Sequence, residues 1–323
     1  MPVTPATPQT IERAAGLLRG GGVVAFPTET VYGLGAHAFD AKAVSRIFEI
    51  KRRPSFDPVI VHVADEAMLA RVVREISQRA RTLIERFWPG PLTLVFKRSD
   101  AVPLLVTAGL ETVAVRMPSH PVALALLRAS GVPLAAPSAN AFGGLSPTRA
   151  DRVAQAFGEQ IDLIIDGGAT PLGIESTILR LEPIPALLRP GALTVEEIEA
   201  AIGPIERNVS DESGPASPGR LPRHYAPRTP LRIVGPENVP LEERSHAGFL
   251  GMSRAPGGYA AARLLSPAGD LREAAAGLFE ALHELDDLGL ERIDAEPPPP
   301  RGLGLAIADR LLRASRNRTG YCQ

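Results

Sequence analysis

Lys51-Arg52-Arg53-Pro54-Ser55-Phe56-Asp57-Pro58-Val59-Ile60-Val61-His62 packs three cations into a proline-stiffened turn that runs directly into an apolar strand. A helical pattern precedes it, with Asp40 placed to cap a segment whose Val44, Ile47 and Phe48 share one face. Helix, polar turn and buried strand in succession mark an α/β sheet domain. Lysine occurs only at Lys42, Lys51 and Lys97 in a chain that otherwise uses arginine, so the ammonium at Lys51 departs from habit. Such a turn suits an anion; taken alone it also reads as a solvated basic turn.

The same alternation extends in both directions. Pro8 to Leu18 carries a helical stripe, and Gly20-Gly21-Gly22 stops it before the strand Val23 to Phe26. Further helices are predicted over Glu66 to Val73, Ser77 to Phe87, Pro121 to Ala129, Arg149 to Phe157 and Val195 to Ile202. Strands are predicted over Val59 to Val63, Leu92 to Phe96, Val113 to Arg116, Leu134 to Ala136, Leu163 to Ile165, Thr177 to Leu179 and Ala186 to Arg189. The expected fold is a twisted mixed sheet over residues 1–203.

Composition changes after Gly203. Residues 204–230 are rich in Pro, Ser, Gly and Arg without apolar periodicity, and read as a linker. A smaller α/β unit is expected over 231–323, with strands at Leu231 to Val234, Ala247 to Leu250 and Arg263 to Leu265, and helices at Leu271 to Leu288 and Ala306 to Ala314. Glu296-Pro297-Pro298-Pro299-Pro300 is a stiff turn between them.

Of 323 residues, 45% are apolar and 22% charged, which is ordinary globular composition with enough apolar mass for two cores. A net charge of -1 provides no global field for nucleic acid or an anionic membrane, so any such contact must be local. No apolar run approaches a bilayer span and the first residues lack a signal-peptide pattern, so the expected location is the cytoplasm. The single cysteine, Cys322, excludes an internal disulfide and reads as inert. The six histidines lack ligand spacing, so no metal site held by protein alone is expected. A phosphate-binding loop of the G-x-x-x-x-G-K-[ST] kind is missing, and Gly33-Leu34-Gly35 lacks the rest of a dinucleotide fingerprint.

Short polar clusters instead fall beside the predicted strands. Pro27-Thr28-Glu29-Thr30-Val31-Tyr32-Gly33-Leu34-Gly35 offers two hydroxyls and a carboxylate, then a glycine pair that lets the backbone approach a ligand; a capped turn explains it equally well. Arg116-Met117-Pro118 ends a strand in a guanidinium suited to a bidentate grip on carboxylate or phosphate, although a lone arginine is more often a surface ion pair. Pro137-Ser138-Ala139-Asn140 presents a hydroxyl and an amide. Ser146-Pro147-Thr148 adds two hydroxyls that helix capping also accounts for. Glu175-Ser176-Thr177 and Leu188-Arg189-Pro190-Gly191 bracket two more strands.

Together, in order and spacing, these clusters resemble the YrdC-domain family of L-threonylcarbamoyladenylate synthases. The resemblance is carried by Lys51-Arg52-Arg53-Pro54, Val59-Ile60-Val61-His62, Pro27-Thr28-Glu29-Thr30-Val31-Tyr32-Gly33, Arg116-Met117-Pro118, Ser138-Ala139-Asn140, Glu175-Ser176-Thr177 and Arg189-Pro190-Gly191. It is strong over residues 8–203. Arg223-His224-Tyr225-Ala226-Pro227 and the tail point to the longer form, in which a small Rossmann-like domain follows the synthase domain.

The resemblance implies the following chemistry. Threonine and bicarbonate form a carbamate, whose carboxylate attacks the α-phosphorus of ATP and expels pyrophosphate, with Mg2+ accompanying the ATP. Lys51 and Arg53 would be the catalytic cations on the phosphates, with Arg189 as a further cation. Ser138, Asn140 and Ser146 would contact the nucleotide, and Thr112 stands where the family has a nucleotide contact. Arg116 would pair with the threonine carboxylate, while Thr30, His62, Ala136 and Ser176 surround the rest of that amino acid. Asp57 replaces an asparagine common in the family's loop, and its charge needs compensation beside a phosphate. His224 and Tyr225 would fold over the nucleotide as part of a lid; Tyr225 could equally anchor the linker. Downstream proteins would pass the threonylcarbamoyl group to tRNA beside the anticodon, with no stable nucleic-acid binding and no membrane association by this chain. The alternatives are an RNA-binding module gripping phosphates through the same cations, or a related carbamoyl-transfer enzyme.

Overall fold

The computed structural model describes residues 3–207 and 224–316; residues 208–223 of the expected linker, and Cys322, lie outside the described residues. A ten-stranded mixed sheet dominates the chain and a separate four-stranded sheet follows it. In order, the elements of the first unit are β1 (Val3–Pro5), α1 (Pro8–Arg19), β2 (Val24–Phe26), β3 (Gly33–His37), α2 (Ala41–Lys51), β4 (Val61–His62), α3 (Glu66–Val72), α4 (Gln78–Phe87), β5 (Leu92–Lys97), β6 (Thr112–Arg116), α5 (Pro121–Ser130), β7 (Leu134–Ala135), α6 (Ala150–Phe157), β8 (Leu163–Asp166), β9 (Thr177–Arg180), β10 (Ala186–Arg189) and α7 (Val195–Ile202). The strand order is β1-β8-β2-β3-β7-β4-β6-β5-β9-β10.

Local chemistry sets the helix boundaries. Asp40 accepts hydrogen bonds from the N–H groups of Lys42 and Ala43 and starts α2, which stops where Arg52 turns left-handed at φ 51°. Thr194 and Glu197 form a reciprocal capping box on α7. Proline opens α1 and α5, where its missing N–H costs nothing.

Side-chain alternation then divides the sheet into two faces. Val61, Leu94, Val115 and Leu179 point into the main core with the helices. Their neighbours Ile60, Val95, Ala114, Ile178 and Leu188 form a small apolar cluster on the other face. In β6, Thr112, Ala114 and Arg116 therefore share that second face. Parallel pairing sets His62 opposite Arg116, and antiparallel pairing sets His62 opposite Leu134. The β9–β10 register slips between Leu187 and Arg189, a bulge that re-aims Arg189.

The second unit contains β11 (Leu231–Ile233), β12 (Ala247–Gly251), β13 (Ala261–Leu264), α8 (Leu271–Asp287), β14 (Arg292–Ala295) and α9 (Leu303–Ala314). Its strands are all parallel, in the order β11-β14-β12-β13. The two units share a core, since Val31, Leu145, Ile174 and Tyr225 pack with Leu250, Leu278, Phe279 and Ile307. Arg152 of α6 reinforces the junction through ion pairs with Glu280 at 2.9 Å and Asp287 at 2.5 Å.

Several elements differ from expectation. The strand over 59–63 shortens to Val61–His62. The glycine pair of Gly33-Leu34-Gly35 lies in strand β3: Gly33 lines the cavity described below, whereas a Cβ at Gly35 would stand 2.7 Å from the Phe26 ring, so that glycine serves packing. Strands β1 and β14 were not anticipated. The capping readings of Ser146 and Thr148 fail, because Arg149 occupies the N-cap of α6 and no side chain caps that helix.

Candidate active site

The second face of the large sheet holds a buried cavity. It is lined by Thr28, Thr30, Arg53, Ile60, His62, Arg116, Ala136, Ser138, Glu175, Ser176, Arg189, His224 and Tyr225, among others. Three arginines thus arrive from the turn after α2, the end of β6 and the end of β10. Hydroxyls come from the loop after β2, the turn after β7 and the segment before β9.

Each arginine is fixed before any ligand arrives. Arg53 donates from Nε to the Asp57 carbonyl at 3.0 Å and from Nη2 to the Pro58 carbonyl at 2.7 Å, so it stiffens its own turn. Arg116 donates from Nη1 to Thr30 Oγ1 at 2.9 Å, and its Nη2 lies 3.2 Å from His62 Nε2. Glu29 stands 3.6 Å from the Arg116 guanidinium and accepts from the Ser119 N–H. Arg189 donates to the Ser176 carbonyl at 2.9 Å and to Ser176 Oγ at 3.2 Å, tying β10 to the start of β9. Ser176 Oγ also meets Thr93 Oγ1 at 2.8 Å.

Lys51 lies on the last turn of α2 rather than in the loop, and it is buried, at 2% exposure. Its Nζ donates to the Ser138 carbonyl at 2.6 Å and to the Asn140 carbonyl. The expectation of a solvent-facing ammonium is therefore corrected; of the three cations in the stretch, Arg52 alone is exposed. Burial first, and then the charge of Arg53, push the Lys51 pKa well below the ordinary lysine range, with Asp57 opposing. Asp57 is fully buried and pairs with Arg53 at 2.9 Å, but burial outweighs the attraction of Arg53, Lys51 and Arg189 and raises its pKa above the ordinary aspartate value.

His224 and Tyr225 close the cavity from the linker. Tyr225 adopts a left-handed φ of 58°, is 1% exposed and meets the Phe279 ring at 5.8 Å between centroids. His224 packs edge-on against Tyr225 and Phe142. Burial, followed by the charges of Arg53, Lys51, Arg189 and Arg310, holds its pKa well below the ordinary histidine value. His62 is pushed the same way by burial and Arg116. Both imidazoles are therefore neutral acceptors or donors at pH 7.

Unpartnered polar atoms gather around this cavity. Among the described residues, His62 Nδ1, Arg116 Nε, His224 Nδ1 and the Tyr225 hydroxyl are buried without a hydrogen-bond partner. Native proteins seldom leave such groups unpaired, and a concentration of them marks where a polar ligand completes the set.

Not every predicted residue reaches the cavity. Lys51 and Asp57 stand behind its wall. Ser146 is fully buried and donates to Glu175 Oε1 at 2.5 Å. Asn140 turns its amide to the carbonyls of Ala141 and Gly144, beside a cavity of ≈ 240 Å³ between α6 and α8. Thr112 sits at the far end of β6 and lines a different cavity, ≈ 570 Å³, with Val95, Lys97, Arg180 and Leu188. Sequence reasoning missed Arg310, which is fully buried and pairs with Glu175 at 2.8 Å. A signal existed: Arg310 interrupts the apolar stripe of Ala306, Ile307, Leu311 and Ala314 on α9.

Comparison with known proteins identifies the family. Residues 16–191 match the Sua5/YciO/YrdC family model, described as "Telomere recombination", and residues 193–316 match the model described as "Threonylcarbamoyl-AMP synthase, C-terminal domain". A threonylcarbamoyl-AMP synthase of Bacillus subtilis is 48% identical over 95% of this chain and 93% of its own length. One from Pyrococcus abyssi is 45% identical over 94% of each. A crystal structure of P. abyssi Sua5 complexed with L-threonine superposes with a TM-score of 0.92 at 42% identity, covering 98% of both chains. With both units matched, the chain belongs to the Sua5/YciO/YrdC family, in its form with an additional C-terminal domain.

Proposed function

We propose that this chain is a threonylcarbamoyl-AMP synthase, converting L-threonine, bicarbonate and ATP into threonylcarbamoyl-AMP and pyrophosphate. One observation carries the reading: Arg53, Arg116 and Arg189, from three separate segments, line a single buried cavity with the hydroxyls of Thr30, Ser138 and Ser176. Two relatives of that name align with it over 95% and 94% of its length.

The reaction forms a C–N bond between the threonine amine and bicarbonate, with loss of water. The carbamate oxygen then bonds to the α-phosphorus while the bond to pyrophosphate breaks. No covalent link to the enzyme is required. Arg116 takes the threonine carboxylate in a bidentate grip, held for that purpose by Thr30, His62 and Glu29. Arg189 and Arg53 offset charge that develops around phosphorus, and Lys51 holds the Ser138 turn against them. Because these donors are already oriented, little reorganisation accompanies the reaction.

At ≈ 50 Å³ the cavity is far smaller than the ~300–1,000 Å³ typical of ligand sites, so ATP requires His224 and Tyr225 to move outward. His224 and Tyr225 serve as the lid, and their return keeps water from the labile mixed anhydride. Thr112 and its larger cavity lie along the same face of β6 and can accept the remainder of the nucleotide.

The carboxylates beside the cavity do not suit a resident metal. Asp57 and Glu175 are each paired with an arginine, and among the described residues no group of three or more His, Cys, Asp or Glu side chains is placed to hold an ion. Mg2+ reaches the site as part of the ATP substrate. No helix among the described residues is long and apolar enough to cross a membrane. The product would pass to separate proteins that transfer it to tRNA.

The test is pyrophosphate release by the purified chain. It should require threonine and bicarbonate together, and release indifferent to threonine would count against the assignment.

A further inference from the structure

Arg310 belongs to α9, in the C-terminal unit, yet its guanidinium is spent on the synthase site. It is fully buried. Its Nε donates to Glu175 Oε2 at 2.8 Å, and its Nη1 donates to the Pro190 carbonyl at 2.9 Å and to Asp309 at 2.7 Å. Its Cζ lies 4.8 Å from the centroid of the Tyr225 ring. The first two contacts hold residues adjoining Ser176 and Arg189, and Tyr225 itself lines the cavity.

Docking the C-terminal unit does not explain this choice. The surrounding stripe on α9 is apolar, and a leucine or methionine there would bury as well, since a buried ion pair seldom outperforms well-packed apolar side chains. What an apolar residue could not provide is direction. A guanidinium offers donors in a fixed plane and a face that attracts an aromatic ring, so one group can set a carboxylate, a carbonyl and a tyrosine in mutual register. Glu175 relays the constraint further, because its other oxygen accepts from Ser146 and its backbone carbonyl accepts from the Ala192 N–H at 3.0 Å.

We propose that Arg310 is a positioning residue for the synthase reaction, through which the C-terminal domain fixes the Glu175–Ser176 and Arg189–Pro190 wall and holds Tyr225 in the closed position. The proposal rests on the functional reading above. Without Arg310, the wall keeps its residues but loses their register, and Tyr225 loses the cation under its ring. The C-terminal domain is then part of the active site rather than an appendage.

The experiment uses the full chain labelled with 3-fluorotyrosine, with the Tyr225 fluorine resonance assigned by Tyr225→Phe, alongside steady-state pyrophosphate release. In Arg310→Met the Tyr225 resonance should move towards that of solvent-exposed tyrosine, and KM for threonine should rise at least tenfold, beyond any fall in kcat, because the wall that carries Ser176 loses its register. Arg310→Lys, which keeps the charge but not the fork, should recover part of both effects. Adding Glu175→Gln to Arg310→Met should also recover part, because it removes the carboxylate left without its partner.

An unmoved Tyr225 resonance with wild-type KM in folded Arg310→Met would overturn the proposal, as would Lys and Met variants that are equally impaired in proportion to lost folded protein. If Arg310→Met does not fold, the Lys variant decides alone: wild-type KM and an unmoved resonance refute the role, and an intermediate shift in both supports it. Should the wild-type chain release no pyrophosphate with threonine, the functional reading fails, while the fluorine signal still reports whether Arg310 holds Tyr225.

Discussion

Lys51 Nζ lies 2.6 Å from the backbone carbonyl oxygen of Ser138, 87 residues downstream, so the basic turn and the Ser138 turn are stapled by one ammonium group. The same nitrogen also serves the Asn140 carbonyl. In Lys51→Met, those carbonyls lose their donor, which costs about 1–3 kcal/mol, partly offset by removing a charge that burial disfavours. The expected result is a modest fall in stability in urea melts, about 1–2 kcal/mol, together with at least a 100-fold loss of pyrophosphate release. Unchanged turnover would remove Lys51 from the mechanism.

Arg116→Lys keeps the charge but not the fork. It loses the paired contacts to Thr30 and His62 and any bidentate hold on a carboxylate. KM for threonine should rise about 10- to 100-fold, the equivalent of roughly 1.4–2.8 kcal/mol, with a much smaller change in KM for ATP. Equal increases for both substrates would contradict the assignment of Arg116 to the amino acid.

The buried imidazoles set an acid limit on stability. His62 and His224 have folded pKa values well below the ordinary 6.5, so the unfolded chain takes up protons that the folded chain refuses. Their contribution is fully present above pH 6.5 and is lost as pH falls from there towards the folded values. Each group adds up to about 1.4 kcal/mol per pH unit to that slope. Urea midpoints measured between pH 7.5 and 5 should show His62→Gln with a shallower dependence, by about one proton. An unaltered slope would mean that His62 is not buried in its neutral form.

Gly191 carries a purely steric prediction. A Cβ there would stand 2.4 Å from Glu175 O, Ser176 C and Thr177 N, all of them backbone atoms that cannot swing aside. Gly191→Ala should therefore push the Glu175–Thr177 segment out of place, costing about 1–3 kcal/mol and raising KM for threonine through Ser176. Thermal melts and threonine titrations check both halves.

What could be read in advance followed the range of each interaction. Asp40, Gly20 to Gly22 and the stripe of α7 announce helix limits through contacts within one turn, and the structure places those limits within a residue or two of the reading. Of the two glycines of β3, Gly33 reaches the cavity, but Gly35 misled because it answers to Phe26 across the sheet, which no local pattern displays. Strand β14 escaped for a similar reason: Arg292 and Asp294 look like loop residues until Asp294 is seen buried against Arg232. In the site, the family resemblance implied ligand roles for Arg116, Arg189 and Ser138, and the structure brings all three to one cavity. The resemblance could not tell that Lys51 faces inward, since that depends on where residues 138 and 140 arrive. Thr112 entered through the family pattern rather than through any local signal; four extended residues carry it about 13 Å along the strand from Arg116, so it lines the neighbouring cavity.

The account stands on one cavity receiving both substrates. A crystal structure of the full chain with threonine and a non-hydrolysable ATP analogue tests it most directly. The account predicts the threonine carboxylate on Arg116 and the analogue's phosphates against Arg53 and Arg189, with His224 and Tyr225 displaced from their present positions. Threonine and phosphates lodged in separate cavities, or phosphates remote from both arginines, would contradict it.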